Sequence, residues 1–458
     1  MGRRLEGAQQ ENGIEMNPGY AAERATNERN RIHASHESHL LHRQVAPTQP
    51  EHSTRNSIET APMTASTYSQ AAGIIGVGST GYDRRPTPEK TTAWYLAAAL
   101  RNALADAGLS FADVDGLALA SFSLAPDHVS DVAWQLGINP RWAMEDRLGG
   151  VAGVNMLQHA VRAVECGDAS VVALIAGDRM EASSFSRFAE NYTTTMRDYI
   201  SPLSSGGFNG VFAMLTRRHM RKHGLSKTDY GRMVVSQRRW ASGNPAAVYR
   251  QPLSLDEYLA AEMIADPLNR FDCVPVVSGA EALIIARSDR AASGITVTPL
   301  ASVSSVNHDD QVGDGLSIGI REQARSLWDA ASLGPEQIDV LAVYDDYPAM
   351  ALIQLDELGF IPGGDKRAFI ASRFSGDPYP LNTSGGQLSA GQAGGACATH
   401  GIAEVVQQLR GQAGARQIEG ATVGIATGYG STIYRYGSCA NAVVLQAQHD
   451  DRKQVTIA

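Results

Sequence analysis

Two patterns in this 458-residue chain occur twice, in the same order. "LSFADVDGLAL" (109–119) is echoed by "LGPEQIDVLAV" (333–343), each a short turn, an apolar–Asp step and an apolar strand. "GGVAGVNMLQHAVRAVECGDASVVALIAG" (149–177) is echoed over 394–428, where "GGACATHGIAEVVQQLRG" leads to "GATVGIATG". Both members of that pair read as a Gly-rich loop, a helix, a short connection and an apolar strand. Alternating strands and helices build a sheet with helices packed on it, and a repeated unit builds two such halves. The expected fold class is therefore α/β and duplicated, each half opening a central helix with a Gly-rich loop.

Composition agrees. Charged residues at 19%, aromatics at 7% and 45 glycines match a Gly/Ala/Val-rich α/β enzyme. A net charge of −9 argues against nucleic acid as partner of the whole chain. Cys166, Cys273, Cys397 and Cys439 lie far apart with no CxxC pair, which fits reduced thiols and offers no zinc-site spacing. With no run of 18 apolar residues, a cytoplasmic protein without membrane contact is expected.

Four regions follow. Residues 1–70 are polar and charged without apolar periodicity, and are expected to be disordered. His33, His36, His39 and His42 recur there every third residue; a solvated tail is the simpler reading than a metal site, so no metal is assigned. Residues 71–300 form the first half, with an inserted, mainly helical region over 183–275. Residues 301–446 form the second half, and 447–458 a tail. Gly76, Gly78 and Gly81 have dinucleotide-loop spacing, but "YDRRPTP" follows where a helix should begin, so that fingerprint is rejected. The next helix is expected from Thr87 as N-cap, through Pro88, to Gly108. Within the insert, 217–250 carries nine Lys/Arg against Asp229 alone, a local +8. That is either a solvated helix face or an anion patch, in which Arg238 and Arg239 with Trp240 would receive a nucleotide.

"LNTSGGQLSAGQAGGACATHG" (381–401) has six glycines in 21 residues and no charged side chain besides His400. No Gly-Lys-Ser/Thr follows, so it is not a phosphate loop of the Walker kind. Together with the duplication, with "GIIGVGSTGYDR" and with "FDCVPVVSGAEALIIAR", it resembles the thiolase superfamily over about residues 71–446, and most closely the sterol carrier protein x type. That resemblance implies a thiolase-like five-layer α/β/α/β/α duplicated fold and a homodimer formed through strands of the first half. It also implies acyl-CoA as substrate, with no cofactor apart from the coenzyme A it carries. Asn382, Gly385, Gly386 and Gly391, with Gly150 and Asp345, would line the thioester pocket, where glycines let backbone and substrate come close.

The thiolase nucleophile does not carry over. Its cysteine position falls on Gly150, the loop histidine on Gln392 and the second cysteine on Thr427. The branch motif His-Asp-Cys/Ala-Phe stands here as Tyr344-Asp345-Asp346-Tyr347. A tyrosine there, with the nucleophile absent, resembles the aldolases of bacterial steroid side-chain degradation, which cleave a β-hydroxyacyl-CoA by a retro-aldol step. Such a step needs a base for the β-hydroxyl and donors for the thioester enolate. Tyr344 is expected as base if its neighbours lower its pKa, and Gln392 as enolate donor. Other readings stay open: Tyr344 as a structural tyrosine; Cys397 with His400 as a displaced nucleophile pair in an acyltransferase; or a non-catalytic acyl-CoA binder. Tyr429, Tyr434 and Tyr436 are candidates to assist, and His308 reads as a loop residue. The resemblance further implies a small OB-fold/zinc-ribbon partner that contacts the acyl-CoA.

Overall fold

A computed structural model describes residues 66–68, 71–203, 207–306, 315–433 and 436–449. The expectations for 1–65 with their histidines, for His308, for Tyr434 and for the tail beyond 449 lie outside the described residues, as does the side chain of Tyr436.

In the first half, strand β1 (Ala72–Ser79) leads to helix α1 (Thr92–Ala107), β2 (Gly116–Ala120), α2 (Val129–Leu136) and β3 (Trp142–Glu145). Helix α3 (Ala152–Cys166) and β4 (Val171–Asp178) follow. Then come α4 (Ala182–Glu190), α5 (Gly207–His223), α6 (Lys227–Ser242), the short α7 (Leu255–Leu259) and β5 (Gly279–Arg287). The second half runs β6 (Ile295–Val306), α8 (Arg321–Ala331), β7 (Val340–Ala342), α9 (Pro348–Glu357) and α10 (Lys366–Arg373). It closes with α11 (Gly386–Ala390), α12 (Cys397–Leu409), β8 (Val423–Ile433) and β9 (Tyr436–His449).

Strand order displays the duplication. The first half is ordered β1-β5-β4-β2-β3 and the second β6-β9-β8-β7. In each, the first strand pairs antiparallel with the last, which pairs antiparallel with a strand that runs parallel to its next neighbour. Leu341 bridges Leu381 in parallel where β3 has its counterpart. Hydrogen bonding is continuous from one half to the other, but the seam between β1 and β6 is a single pair, Ile74 with Val297.

The layers follow from side-chain alternation. On β4, Val172, Leu174 and Ala176 face a central core, while Val171, Ala173 and Ile175 face α1 and α2. On β9, Val443 and Leu445 join that same central core, while Ala442 and Val444 face α9 and the outer helices. Between the two inner faces lie α3 and α12, giving the five-layer α/β/α/β/α arrangement. The two central helices cross closely: a Cβ on Gly153 would lie 2.0 Å from the Ala398 carbonyl oxygen, so only glycine fits there.

Helix α1 begins four residues later than its sequence suggests. Thr91, not Thr87, caps it, its side chain accepting from the Trp94 N–H at 3.1 Å. Thr87 donates instead to Glu89, in a turn before the helix. Gly108 ends the helix in the left-handed region, as expected.

Candidate active site

The end of β7 and the start of α9 bring Tyr344, Asp346 and Tyr347 to a cavity of about 260 Å³. Its other walls are the turn before α3 (Gly149, Gly150), the loop residue Gln392, Cys397 at the head of α12, and Tyr429 on β8. An aromatic wall completes it: Phe122, Phe185, Phe188, Tyr192, Phe208 and Phe212, mostly from the insert. Those rings pack edge to face or tilted, with Phe122–Phe188 centroids 4.7 Å apart and Phe188–Tyr192 5.2 Å.

Gly150 and Tyr344 fit each other. A Cβ at 150 would lie 2.2 Å from Tyr344 Cε2 and 2.6 Å from its Cζ. The tyrosine ring therefore occupies the space a side chain at 150 would need. The Tyr344 backbone is pinned from both sides. Its N–H donates to Thr427 Oγ1 at 3.0 Å, and its carbonyl accepts from Gln354 Nε2 at 2.7 Å. Thr427 closes the ring of contacts by donating to Gln354 Oε1 at 2.6 Å.

The Tyr344 hydroxyl donates to Asp346 Oδ2 at 2.9 Å and lies 3.4 Å from Cys397 Sγ. Burial, then the charge of Asp346, pushes the tyrosine well above its ordinary value. That corrects one expectation: the neighbours of Tyr344 raise its pKa rather than lower it. The group nearer neutrality is Asp346, whose carboxyl burial pushes up to about 7 against a smaller lowering by the Tyr344 bond. Its Oδ1 is shielded from solvent and has no partner among the described residues. In the sequence Asp346 is not distinguishable from Asp345, because adjacent acids after a strand look alike until one turns inward.

Asp345 turns the other way, under the Gly-rich loop. It accepts from the Gln387 N–H at 2.8 Å and from Gln237 Nε2 at 3.1 Å, so it holds the Gly385–Gly386 turn rather than facing the cavity. Burial raises its carboxyl to about 8. Asn382 is likewise a clamp: its side chain accepts from the Val343 N–H at 2.7 Å and donates to the Val343 carbonyl at 2.9 Å. Gln392 does line the cavity, with a buried Oε1 that has no hydrogen-bond partner among the described residues. Tyr429 also lines it, but its hydroxyl accepts from the Gly437 N–H at 3.0 Å within the β8–β9 hairpin.

Cys397 and His400 do not pair. Burial and then Asp346 push the Cys397 thiol up, which disfavours the thiolate a nucleophile needs. His400 points into a different, smaller cavity with Tyr82, Glu281 and Ser384, and is not a wall of the Tyr344 cavity. Its Nε2 lies 2.8 Å from Ser384 Oγ and its Nδ1 3.0 Å from Glu281 Oε1. The order resembles a nucleophile–base–acid chain. However, although burial alone would lower the imidazole pKa, Glu281 raises it above the ordinary histidine value. Through these contacts His400 bridges the Gly-rich loop and β5.

Arg238 and Arg239 part ways too. Arg239 is exposed and donates to the Gly376 carbonyl at 2.7 Å, away from the cavity. Arg238 is buried and donates from Nε to Ser389 Oγ at 2.9 Å. Among the described residues no cluster of His, Cys, Asp and Glu could hold a metal ion, and no helix is long and apolar enough to cross a membrane.

Comparison with known proteins agrees with this geometry. Residues 301–445 match the family described as thiolase C-terminal domain-like. The chain is 33% identical over 364 residues to the 17-hydroxy-3-oxo-4-pregnene-20-carboxyl-CoA lyase of Mycobacterium tuberculosis, covering 74% of this chain and 92% of that protein. It is 30% identical over 346 residues to an acetyl-CoA acetyltransferase of Methanothermobacter thermautotrophicus, covering 72% and 89%. Among solved structures, the Ltp2-ChsH2(DUF35) aldolase superposes with a TM-score of 0.68 at 26% identity, covering 84% of this chain and 99% of that one.

Proposed function

Because the chain belongs to the thiolase superfamily, in the sterol carrier protein x-type branch that lacks the nucleophilic cysteine, we propose that it is a carbon–carbon lyase. Its substrate is a β-hydroxyacyl-CoA, cleaved by a retro-aldol step, with a steroid side chain as the acyl class. The observation that carries this reading is the exchange at one point in space: the ring of Tyr344 lies where a side chain at position 150 would stand, and its hydroxyl is 2.9 Å from Asp346. A hydroxyl–carboxylate pair thus replaces a thiol.

In that reaction Tyr344 and Asp346 act as a unit. The tyrosine oxygen accepts the β-hydroxyl proton as its own proton passes to Asp346, so no free tyrosinate forms. The Cα–Cβ bond breaks, the β-carbon becomes a ketone or aldehyde, and the electron pair moves into the thioester enolate. Gln392 and the positive end of α3 receive that charge, and a proton returned to Cα completes a shortened acyl-CoA. No oxidant or acyl-enzyme is required. The aromatic wall suits a flat apolar ring system.

Assembly belongs to the same proposal. Strand β3 is the outer strand of its half-sheet, which supports a homodimer through β3 edges. The similar aldolase is named together with a DUF35 protein, which supports an OB-fold/zinc-ribbon partner here. Two variants test the chemistry. Tyr344→Phe and Asp346→Asn should each lower turnover by about 10²–10⁴, the usual worth of a general base, while acyl-CoA affinity stays near wild type. Wild-type turnover in either variant would exclude the pair.

A further inference from the structure

Retro-aldol cleavage needs a second proton transfer, to Cα, after Tyr344 and Asp346 have taken the first. Thr427 stands at the place of the second thiolase cysteine, but its hydroxyl donates to Gln354 Oε1 and accepts from the Tyr344 N–H. Gln392 offers an amide, which stabilises charge without giving up a proton. Cys397 lies 3.4 Å from the Tyr344 hydroxyl, beside the base.

Four tyrosines line the cavity: Tyr192, Tyr344, Tyr347 and Tyr429. Tyr344 donates to Asp346, and Tyr347 to Asn209 Oδ1 at 2.7 Å. The Tyr429 hydroxyl is held in the β8–β9 hairpin by the Gly437 N–H. The Tyr192 hydroxyl differs: its oxygen accepts from the Ser431 N–H. An oxygen that accepts keeps its own proton to give. Ser431 also lines the cavity, and its φ of 55° lies in the left-handed region that residues with a Cβ rarely enter. Backbone held in that region clusters at active sites.

The position of Tyr192 suits a transfer to Cα. A Cβ on Gly149 would lie 2.6 Å from its hydroxyl oxygen, and a Cβ on Gly150 would lie 2.6 Å from Tyr344 Cζ. The two phenols thus stand over consecutive residues of the turn that opens α3, and a thioester seated against that turn meets both. Phe188, Phe208 and Phe122 fix the Tyr192 ring, with centroids 5.2, 5.3 and 6.0 Å away. Burial, then Cys397, raises the phenol above its ordinary pKa, with the Ser431 N–H acting the other way. It is therefore neutral at neutral pH, and a thioester enolate is basic enough to take its proton.

We propose that Tyr192 is the general acid that protonates Cα of the enolate, with the Ser431 N–H holding the phenolate that results. The Tyr192 O–H bond breaks as the Cα–H bond forms. Solvent then reprotonates the half-buried Tyr192, and Asp346 releases to solvent the proton taken from the β-hydroxyl. The inference rests on the retro-aldol reading above and assigns its second proton transfer.

Hydrogen exchange at Cα tests this apart from cleavage. Propionyl-CoA, which has Cα hydrogens and no β-hydroxyl, is incubated with the full chain in D2O, and its deuterium content is read by mass spectrometry. The group that protonates Cα must also remove its proton in reverse, so wild type should incorporate deuterium. Tyr192→Phe should slow incorporation by about 10²–10⁴, the usual worth of a general acid. It should also lower turnover of a β-hydroxyacyl-CoA, with melting temperature and propionyl-CoA affinity near wild type. Tyr344→Phe should lose cleavage and not exchange, a division that a merely structural Tyr192 would not produce. Exchange that persists in Tyr192→Phe, or that disappears with Cys397→Ser instead, overturns Tyr192 as the acid and leaves the lyase reading standing. So does a wild-type chain that binds propionyl-CoA and incorporates no deuterium. Exchange that depends on Tyr192, in a chain that cleaves no β-hydroxyacyl-CoA, overturns the lyase reading and keeps Tyr192 as the acid–base group at Cα.

Discussion

A single methyl group at position 150 perturbs the Tyr344–Asp346 pair without touching either member. Gly150 is not in the left-handed region, so alanine meets no backbone strain there. What it meets is the tyrosine ring, 2.2 Å from the new Cβ, and the Tyr429 carbonyl oxygen at 2.4 Å. Carbon atoms settle at about 3.5–4.0 Å, so the ring must retreat by more than ~1 Å. The carbonyl blocks the opposite escape. Overpacking of this size costs about 1–3 kcal/mol, which a melting curve reads as a modest fall. The effect on rate should be larger, because a catalytic group misplaced by ~1 Å costs about 10²-fold. The assay is steady-state release of the carbonyl product, with KM and melting temperature measured on the same preparation. Gly150→Ala should lose about 10²-fold in kcat, with a KM close to wild type. Gly150→Cys should behave alike and gain no thiolase activity, since the ring fills the place of the thiol. A Gly150→Ala enzyme with wild-type kcat and stability would refute the argument that the ring position defines the site.

Three further outcomes follow from the same geometry. Asp346 accepts the proton only when ionised, so kcat should rise with pH, half-maximal near 7, where burial places its carboxyl; Asp346→Asn should abolish that rise, and a profile flat from pH 5 to 8 in wild type would contradict it. Thr427→Val removes the acceptor of the Tyr344 N–H and should lower kcat about tenfold at little change in KM, with Thr427→Ser restoring it. Equal rates in the Val and Ser variants would assign the hydroxyl no part. Asp345 is raised to about 8 in the folded chain against ~3.9 unfolded, so its contribution to stability is present below ~4 and is lost as pH rises through about 8. Asp345→Asn, which cannot ionise, should therefore gain on wild type in denaturant midpoint between pH 5 and 8; a constant difference would show that the carboxyl does not titrate in that window.

The duplicated halves were legible because they are written locally. A Gly-rich loop, a helix and an apolar strand leave periodic marks, and each echo marks the same step in both halves. The register of the site was legible from motifs: Tyr344, Gln392 and Gly150 all reach one cavity. What failed depended on side-chain direction. Asp345 and Asp346 are neighbours in sequence, yet one lies under the loop and the other at the cavity, because consecutive residues leaving a strand point to opposite sides. His400 is one helical turn from Cys397, but that turn carries it toward Glu281 on the other half. Arg238 and Arg239 diverge on α6 for the same reason, about 100° apart around the axis. The aromatic wall left no local sign either, since its rings come from 122 to 212 and meet only when the insert folds back.

The most direct test of the central claim is product stoichiometry with intact enzyme and a β-hydroxyacyl-CoA of the steroid side-chain class, with and without the proposed OB-fold/zinc-ribbon partner. A retro-aldol lyase releases one ketone or aldehyde and one shortened acyl-CoA per substrate consumed, needs no free CoA, and shows no acyl-enzyme in intact-mass spectra. Turnover that depends on free CoA and leaves an acyl group on a cysteine would contradict it.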